Sequence, residues 1–140
     1  MSEFSREEPN GRRIVESYFA ALQSGDLASV PWAADATLVA PIAPGGPDRP
    51  LVGRDAILEF LRPVVANLAR VEVLNILVDG DWVAGRAHLT LSQPAGARLR
   101  TMNIFRIQRG QIVEQENHFD PRPILDGRAG ARDAAPGDRA

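Results

Sequence analysis

From Arg98 to Asp120 the chain reads RLRTMNIFRIQRGQIVEQENHFD, with Leu99, Thr101, Asn103 and Phe105 alternating against Arg98, Arg100, Met102 and Ile104. Alternation of this kind predicts two strands folded back at Gln108-Arg109-Gly110, in a sheet with one face toward a cavity and the other toward solvent or a partner. Upstream the period changes. Ile14, Val15, Tyr18, Phe19 and Leu22 fall at helical spacing and predict a helix from Arg12 to the Ser24-Gly25-Asp26 stop. A second, short helix is predicted over Asp26–Asp35, limited by Pro31, which removes a backbone donor. Thr37–Ala40 reads as a short strand, 41–50 as a Pro/Gly loop and Asp55–Arg70 as a third helix with a broad apolar stripe. Strands over Val71–Val78 and Trp82–Ser92 then lead into the hairpin. Helices segregated from a run of strands predict an α+β fold, with three helices from the N-terminal half packed on the concave face of a cone-shaped, strongly curved, mostly antiparallel sheet.

The register of the hairpin decides which side chains reach the cavity. A three-residue loop with Gly110 left-handed pairs Asn103 with Gln115, Thr101 with Asn117 and Leu99 with Phe119. A two-residue loop shifts the pairing by one and turns Glu116, His118 and Asp120 inward. Turn chemistry favours the first, because the second asks Arg109 for a positive φ.

Length and composition narrow the rest. At 140 residues the chain suits one domain, expected over 12–123, with a loose arm at 1–11 ending in Pro9-Asn10-Gly11 and a Pro/Gly/Ala-rich tail at 124–140. There is no cysteine and there are two histidines, so neither disulfides nor a protein-built metal cage is expected, and no cofactor is implied. A net charge of -2 with interspersed signs provides no field to gather nucleic acid, and no apolar run suggests a signal peptide or membrane span. The expectation is a cytoplasmic protein that meets a small apolar molecule.

Five side chains carry candidate chemistry. His88 alternates with Arg86 and Thr90 on one side of its strand. If that side faces the cavity, His88 is the residue suited to proton transfer near neutrality, against the alternative of a hydrogen-bonded structural histidine. Arg86 would orient it or pair for structure. Tyr18 and Asn103 can donate to an oxyanion or carbonyl, and Asn117 can orient a ligand. Trp32, Leu99, Thr101, Phe105, Gln115 and Phe119 are the expected walls, although core packing is the commoner fate of such residues. The outer sheet face, mixed apolar and charged, suits a two-fold homodimer.

The segments SYFAALQSGDLASV, WAADATLVAPIAP, LVGRDAILEFL, MNIFRIQRGQIV and NHFDPRP resemble the nuclear-transport-factor-like and SnoaL-like superfamily, which includes ketosteroid isomerases, limonene-epoxide hydrolases, scytalone dehydratase and polyketide cyclases. The resemblance implies the cone fold and a pocket for a small molecule. It puts Tyr18 and Asn103 on the oxyanion-holding positions of a ketosteroid isomerase, with Ala40 where the base stands. It puts Arg86 and His88 on the arginine and first aspartate positions of an epoxide hydrolase, with Asn117 on the second. The activity implied is a cofactor-independent isomerisation, dehydration or cyclisation of an apolar carbonyl or polyketide-like compound with His88 as acid/base. The alternatives are a non-catalytic binding or dimeric interaction module, and an epoxide-hydrolase-like enzyme.

Overall fold

The computed structural model describes residues 2–126. Helix α1 (Ser2–Ser24) and helix α2 (Arg54–Ala66) accompany a single sheet of β1 (Trp32–Val39), β2 (Leu51–Val52), β3 (Leu68–Asp79), β4 (Trp82–Leu91), β5 (Arg98–Gln108) and β6 (Gln111–His118). The strand order is β2-β1-β6-β5-β4-β3, and only β1 and β6 run parallel. This is the α+β class expected, with α1, one-turn 3-10 helices at Leu27–Ser29 and Gly46–Asp48, and α2 among its helical segments. Among the described residues no helix is long and apolar enough to cross a membrane.

α1 forms because one stripe can be buried. Val15, Tyr18, Phe19 and Leu22 all face the core, the spacing of a helix lying on a sheet. The helix also runs through Pro9-Asn10-Gly11, where a turn and a loose arm are expected. Gly11 is needed there for closeness: a Cβ would stand 3.1 Å from Val83 Cγ2 on β4. Gly85, further along β4, leaves still less room, since a Cβ would lie 2.6 Å from the Phe19 ring.

The second predicted helix divides into the one-turn 3-10 helix Leu27–Ser29 and the start of β1. Val30 is extended (ψ 129°), as the residue before a proline tends to be, and helix ends after one turn. Pro31 keeps its carbonyl free to accept from the Ile112 amide (2.8 Å), which starts the parallel β1–β6 pairing. Trp32 to Asp35 therefore belong to β1. α2 likewise stops at Ala66, short of Arg70, because Leu68 onward pairs with β4. Of the predicted tail at 124–140, residues 124–126 belong to a helical turn over 122–126 with Ile124 packed on the core, and 127–140 lie outside the described residues.

The β5–β6 turn departs from the expected loop. Gln108 pairs with Gln111, so the loop has two residues, with Arg109 at φ 54° and Gly110 at φ 75°. A bulge follows: Ile107 pairs with Ile112 but Arg106 pairs with Glu114, leaving Val113 as the extra residue. The two departures offset one another in parity. Asn103 lies opposite Asn117 and Phe105 opposite Gln115, two residues from the expected partners, yet the same set faces inward. On the outer face Met102 pairs with His118, Ile104 with Glu116 and Arg106 with Glu114.

Candidate functional site

The inner face of the sheet is apolar near the helices and amide-rich along β5 and β6. Thr101, Asn103, Gln115 and Asn117 are the buried polar residues among those described, and Asn103 and Gln115 are only 2% and 1% exposed. Groups so deeply buried need partners. Trp32 Nε1 donates to Gln115 Oε1 (2.9 Å), Gln115 Nε2 donates to Asn117 Oδ1 (3.0 Å) and Thr101 Oγ1 donates to Asn103 Oδ1 (2.6 Å).

Tyr18 stands at the centre of this layer. Its ring makes edge contacts with Phe19, Trp32 and Phe105 at centroid distances of 5.2, 6.1 and 5.1 Å. Burial pushes its pKa up to about 12, and the amides of Gln115 and Asn117, hydrogen-bonding toward the phenol oxygen, offset part of that rise. At neutral pH Tyr18 is a protonated hydrogen-bond donor. The Nδ2 of Asn103 has no protein partner among the described residues and opens on the same space.

That space is a cavity of about 30 Å³ between α1, α2 and the sheet. Tyr18, Thr101, Asn103 and Asn117 form its polar end; Leu22, Leu61, Leu68, Leu89 and Leu99 form its walls; and Ile42, Phe60, Val64 and Phe119 stand half-buried at its mouth. The volume has room for a water or two. Anything larger enters by turning the mouth side chains aside. Ala40 lies in the lining, and among the described residues no carboxylate or imidazole does.

Several expected site residues therefore meet and others do not. Tyr18, Leu99, Thr101, Asn103, Asn117 and Phe119 line the cavity together. Trp32, Phe105 and Gln115 stand one layer behind, buried against the lining residues. His88 and Arg86 are on the other face. Val83, Ala87, Leu89 and Leu91 of β4 point inward, so Arg86, His88 and Thr90 point outward, the reverse of the side assumed for acid/base work. Small residues occupy the inner positions near α1 because its aromatic rings press there, and the polar set of β4 is left to solvent. Arg86 Nε donates to Asn75 Oδ1 (2.9 Å), and His88 sits between Glu72 and Arg100 across the strands. The lining residues not anticipated, such as Leu22, Phe60, Leu61 and Val64, are apolar positions on helix stripes, which a pattern cannot divide between core and cavity wall.

A second, open cleft of about 740 Å³ lies at the hairpin-tip end, over Ala33, Ile107 and Val113 and rimmed by Asn10, Asp35, Asp81, Arg109 and Gln111. Its polar rim is solvent-exposed, so nothing there is desolvated enough to alter its chemistry.

An open, curved α+β sheet whose helices close a pocket against its inner face defines a cone-shaped small-molecule-binding class. Residues 15–115 match the family described as the SnoaL-like domain, and the chain belongs to that family. No curated protein matches it in sequence. Three solved structures show the same fold. A candidate isomerase from Bacillus subtilis superposes with a TM-score of 0.73 at 16% identity, covering 87% of this chain and 94% of its own. IdmH, a candidate polyketide cyclase from Streptomyces antibioticus, has a TM-score of 0.70 at 22% identity, covering 85% and 98%. An NTF-2 like protein from Burkholderia xenovorans LB400 has a TM-score of 0.69 at 19% identity, covering 81% and 84%. Fold likeness at these identities says nothing of the reaction.

Proposed function

We propose that this chain binds a small, uncharged, mostly apolar carbonyl compound in the α1–α2–sheet cavity. Tyr18, Asn103 and Asn117 hold its oxygen, and no side chain of the cavity carries out proton transfer. One observation carries the reading: Tyr18 is the single titratable group in the lining, and it stays protonated up to about pH 12. Neutral donors at the end of an apolar sleeve suit a carbonyl, whereas a carboxylate ligand would be desolvated with no cation to meet it.

The experiment uses the two tryptophans. Trp82 is 43% exposed, and replacing it by Phe leaves Trp32 as the reporter beside Tyr18. Cyclic and aromatic ketones should shift Trp32 emission saturably, and Asn103→Leu should weaken that binding about fivefold to tenfold, the worth of one buried hydrogen bond. Equal affinity in Asn103→Leu and the parent would refute the assignment.

A second reading is favoured by the same donors and by the cyclase- and isomerase-like neighbours. Here the donors polarise a carbonyl whose own molecule supplies the nucleophile for ring closure or rearrangement. Its mark is turnover that falls in Tyr18→Phe and Asn103→Leu but is unchanged in His88→Ala, since His88 lies across the sheet from the cavity.

The outer face supports a homodimer. Leu77 and Trp82 are exposed there, beside charges of both signs that include the Arg106–Glu114 pair at 3.2 Å. A two-fold axis through such a face buries the apolar groups and brings opposite charges together. Leu77→Asp should yield a monomer in sedimentation; an unchanged mass in both forms would remove this contact.

A further inference from the structure

The hydrogen bonds of the buried layer run in one direction. An indole N–H can only donate, whereas an amide can be turned either way and a hydroxyl can donate or accept. Trp32 is therefore the fixed end. Because its Nε1 donates to Gln115 Oε1, Gln115 must present Nε2, which donates to Asn117 Oδ1. Asn117 must then present its own Nδ2 at the end of the cavity that it lines with Tyr18, and the amides of Gln115 and Asn117 both hydrogen-bond toward the phenol oxygen. With its oxygen accepting, Tyr18 has its proton left to give, and the cavity is where it opens. Thr101 does the same for Asn103 on the neighbouring strand, taking up Oδ1 and leaving Nδ2 for the cavity.

We propose that Trp32, which does not itself line the cavity, sets the polarity of the polar end and makes it select ligands that only accept a hydrogen bond over those that must also donate one. The class so selected is the ketone or quinone type of carbonyl. An alcohol of the same skeleton can accept from Tyr18, but its own proton meets Asn103 Nδ2 and Asn117 Nδ2, which are donors, and the Thr101 oxygen, whose proton is committed to Asn103, is the acceptor it must reach instead; a buried donor that misses it is costly. Trp32 is thus a positioning residue. It is 2% exposed and reaches a ligand only through Gln115, Asn117 and Tyr18. Low-dielectric surroundings strengthen such a chain, each bond polarising the next. The inference rests on the binding reading above, and the two can fail separately.

The test is calorimetric titration of the full chain with cyclohexanone, cyclohexanol and cyclohexane, accompanied by the ¹³C shift of carbonyl-labelled cyclohexanone. The wild type should bind the ketone about fivefold to tenfold more tightly than the alcohol. Its carbonyl resonance should move downfield. Trp32→Phe removes the obligate donor and frees Gln115 and Asn117 to turn, so the ratio should fall toward one and the downfield shift should shrink, with cyclohexane affinity little changed. A merely structural role for Trp32 would lower all three affinities together. Should Trp32→Phe fail to fold, Gln115→Met cuts the same relay with little change in volume and carries the same expectation. A ketone preference that persists in a folded Trp32→Phe or Gln115→Met protein overturns the relay while leaving the binding reading intact. A wild type that binds none of the three probes overturns both.

Discussion

Strands β5 and β6 have two faces built from the same stretch of chain, and they differ in kind. The inner face is Leu99, Thr101, Asn103 and Phe105 opposite Gln115 and Asn117, buried and without formal charge. The outer face is Arg98, Arg100, Met102, Ile104 and Arg106 opposite Glu114, Glu116 and His118. Every ionisable side chain of this hairpin lies outside, where water screens it and the Arg106–Glu114 and His118–Glu116 pairs have little to add to stability. What remains inside is hydrogen-bonding power without acid or base. A cavity of that kind suits the orienting and polarising of a carbonyl proposed above.

The sharpest contrast is in stability. Phe105 is fully buried against Tyr18 and Phe19, so Phe105→Ala should cost about 3–5 kcal/mol in denaturant unfolding. A loss below about 1 kcal/mol would mean that the inner layer is not packed as described. Next comes the buried phenol. The pKa of Tyr18 is raised in the folded state, so the unfolded chain loses its proton first as pH rises. Stability should be unaffected below about pH 10 and should then fall by roughly 2–3 kcal/mol as pH approaches about 12. Tyr18 is the only tyrosine in the chain, so absorbance at 295 nm follows it directly. Tyr18→Phe should lack this component of the alkaline loss, and a tyrosine titrating near pH 10 in the folded protein would contradict the burial.

Two smaller effects belong to the exposed side. Arg109 is held at φ 54° at the tip of the hairpin, and Arg109→Gly should stabilise by up to about 1 kcal/mol, read as a higher midpoint of urea unfolding. Arg106→Ala should change stability by no more than about 1 kcal/mol, and less at high salt. An Arg106 effect as large as that of Phe105 would erase the distinction between the faces.

Most of the architecture was legible from periodicity. α1 announced itself through Val15, Tyr18, Phe19 and Leu22, and the alternation along Leu99–Phe105 identified the inward set correctly. Trp32–Asp35 misled, because Leu27, Val30 and the alanines that follow also fit helical spacing. The stop came from Pro31 together with a parallel partner far along the chain, and pairing of that range leaves no local trace. The side of β4 that faces inward was illegible for a related reason: polar Arg86, His88 and Thr90 look like chemistry until the aromatic rings of α1 are seen to demand small residues at Gly85 and Ala87. Within the site, the donors Tyr18, Asn103 and Asn117 could be named from residue type and resemblance. The division of apolar residues between wall and core depends on packing and could not.

Val113 gives this strand something like a reading frame. Every side chain beyond it is assigned to the cavity or to the outside by that one residue standing out of the ladder. Deleting Val113 would leave Glu114 opposite Arg106 and every later address unchanged, whereas pairing Val113 with Arg106 would withdraw Gln115 and Asn117 and deliver Glu116 and His118 in their place. Two sites of opposite character are thus written on alternate letters of the same eight-residue strand. A slip that draws Val113 into the ladder, more than any point substitution, is the short route from the neutral site to the charged one.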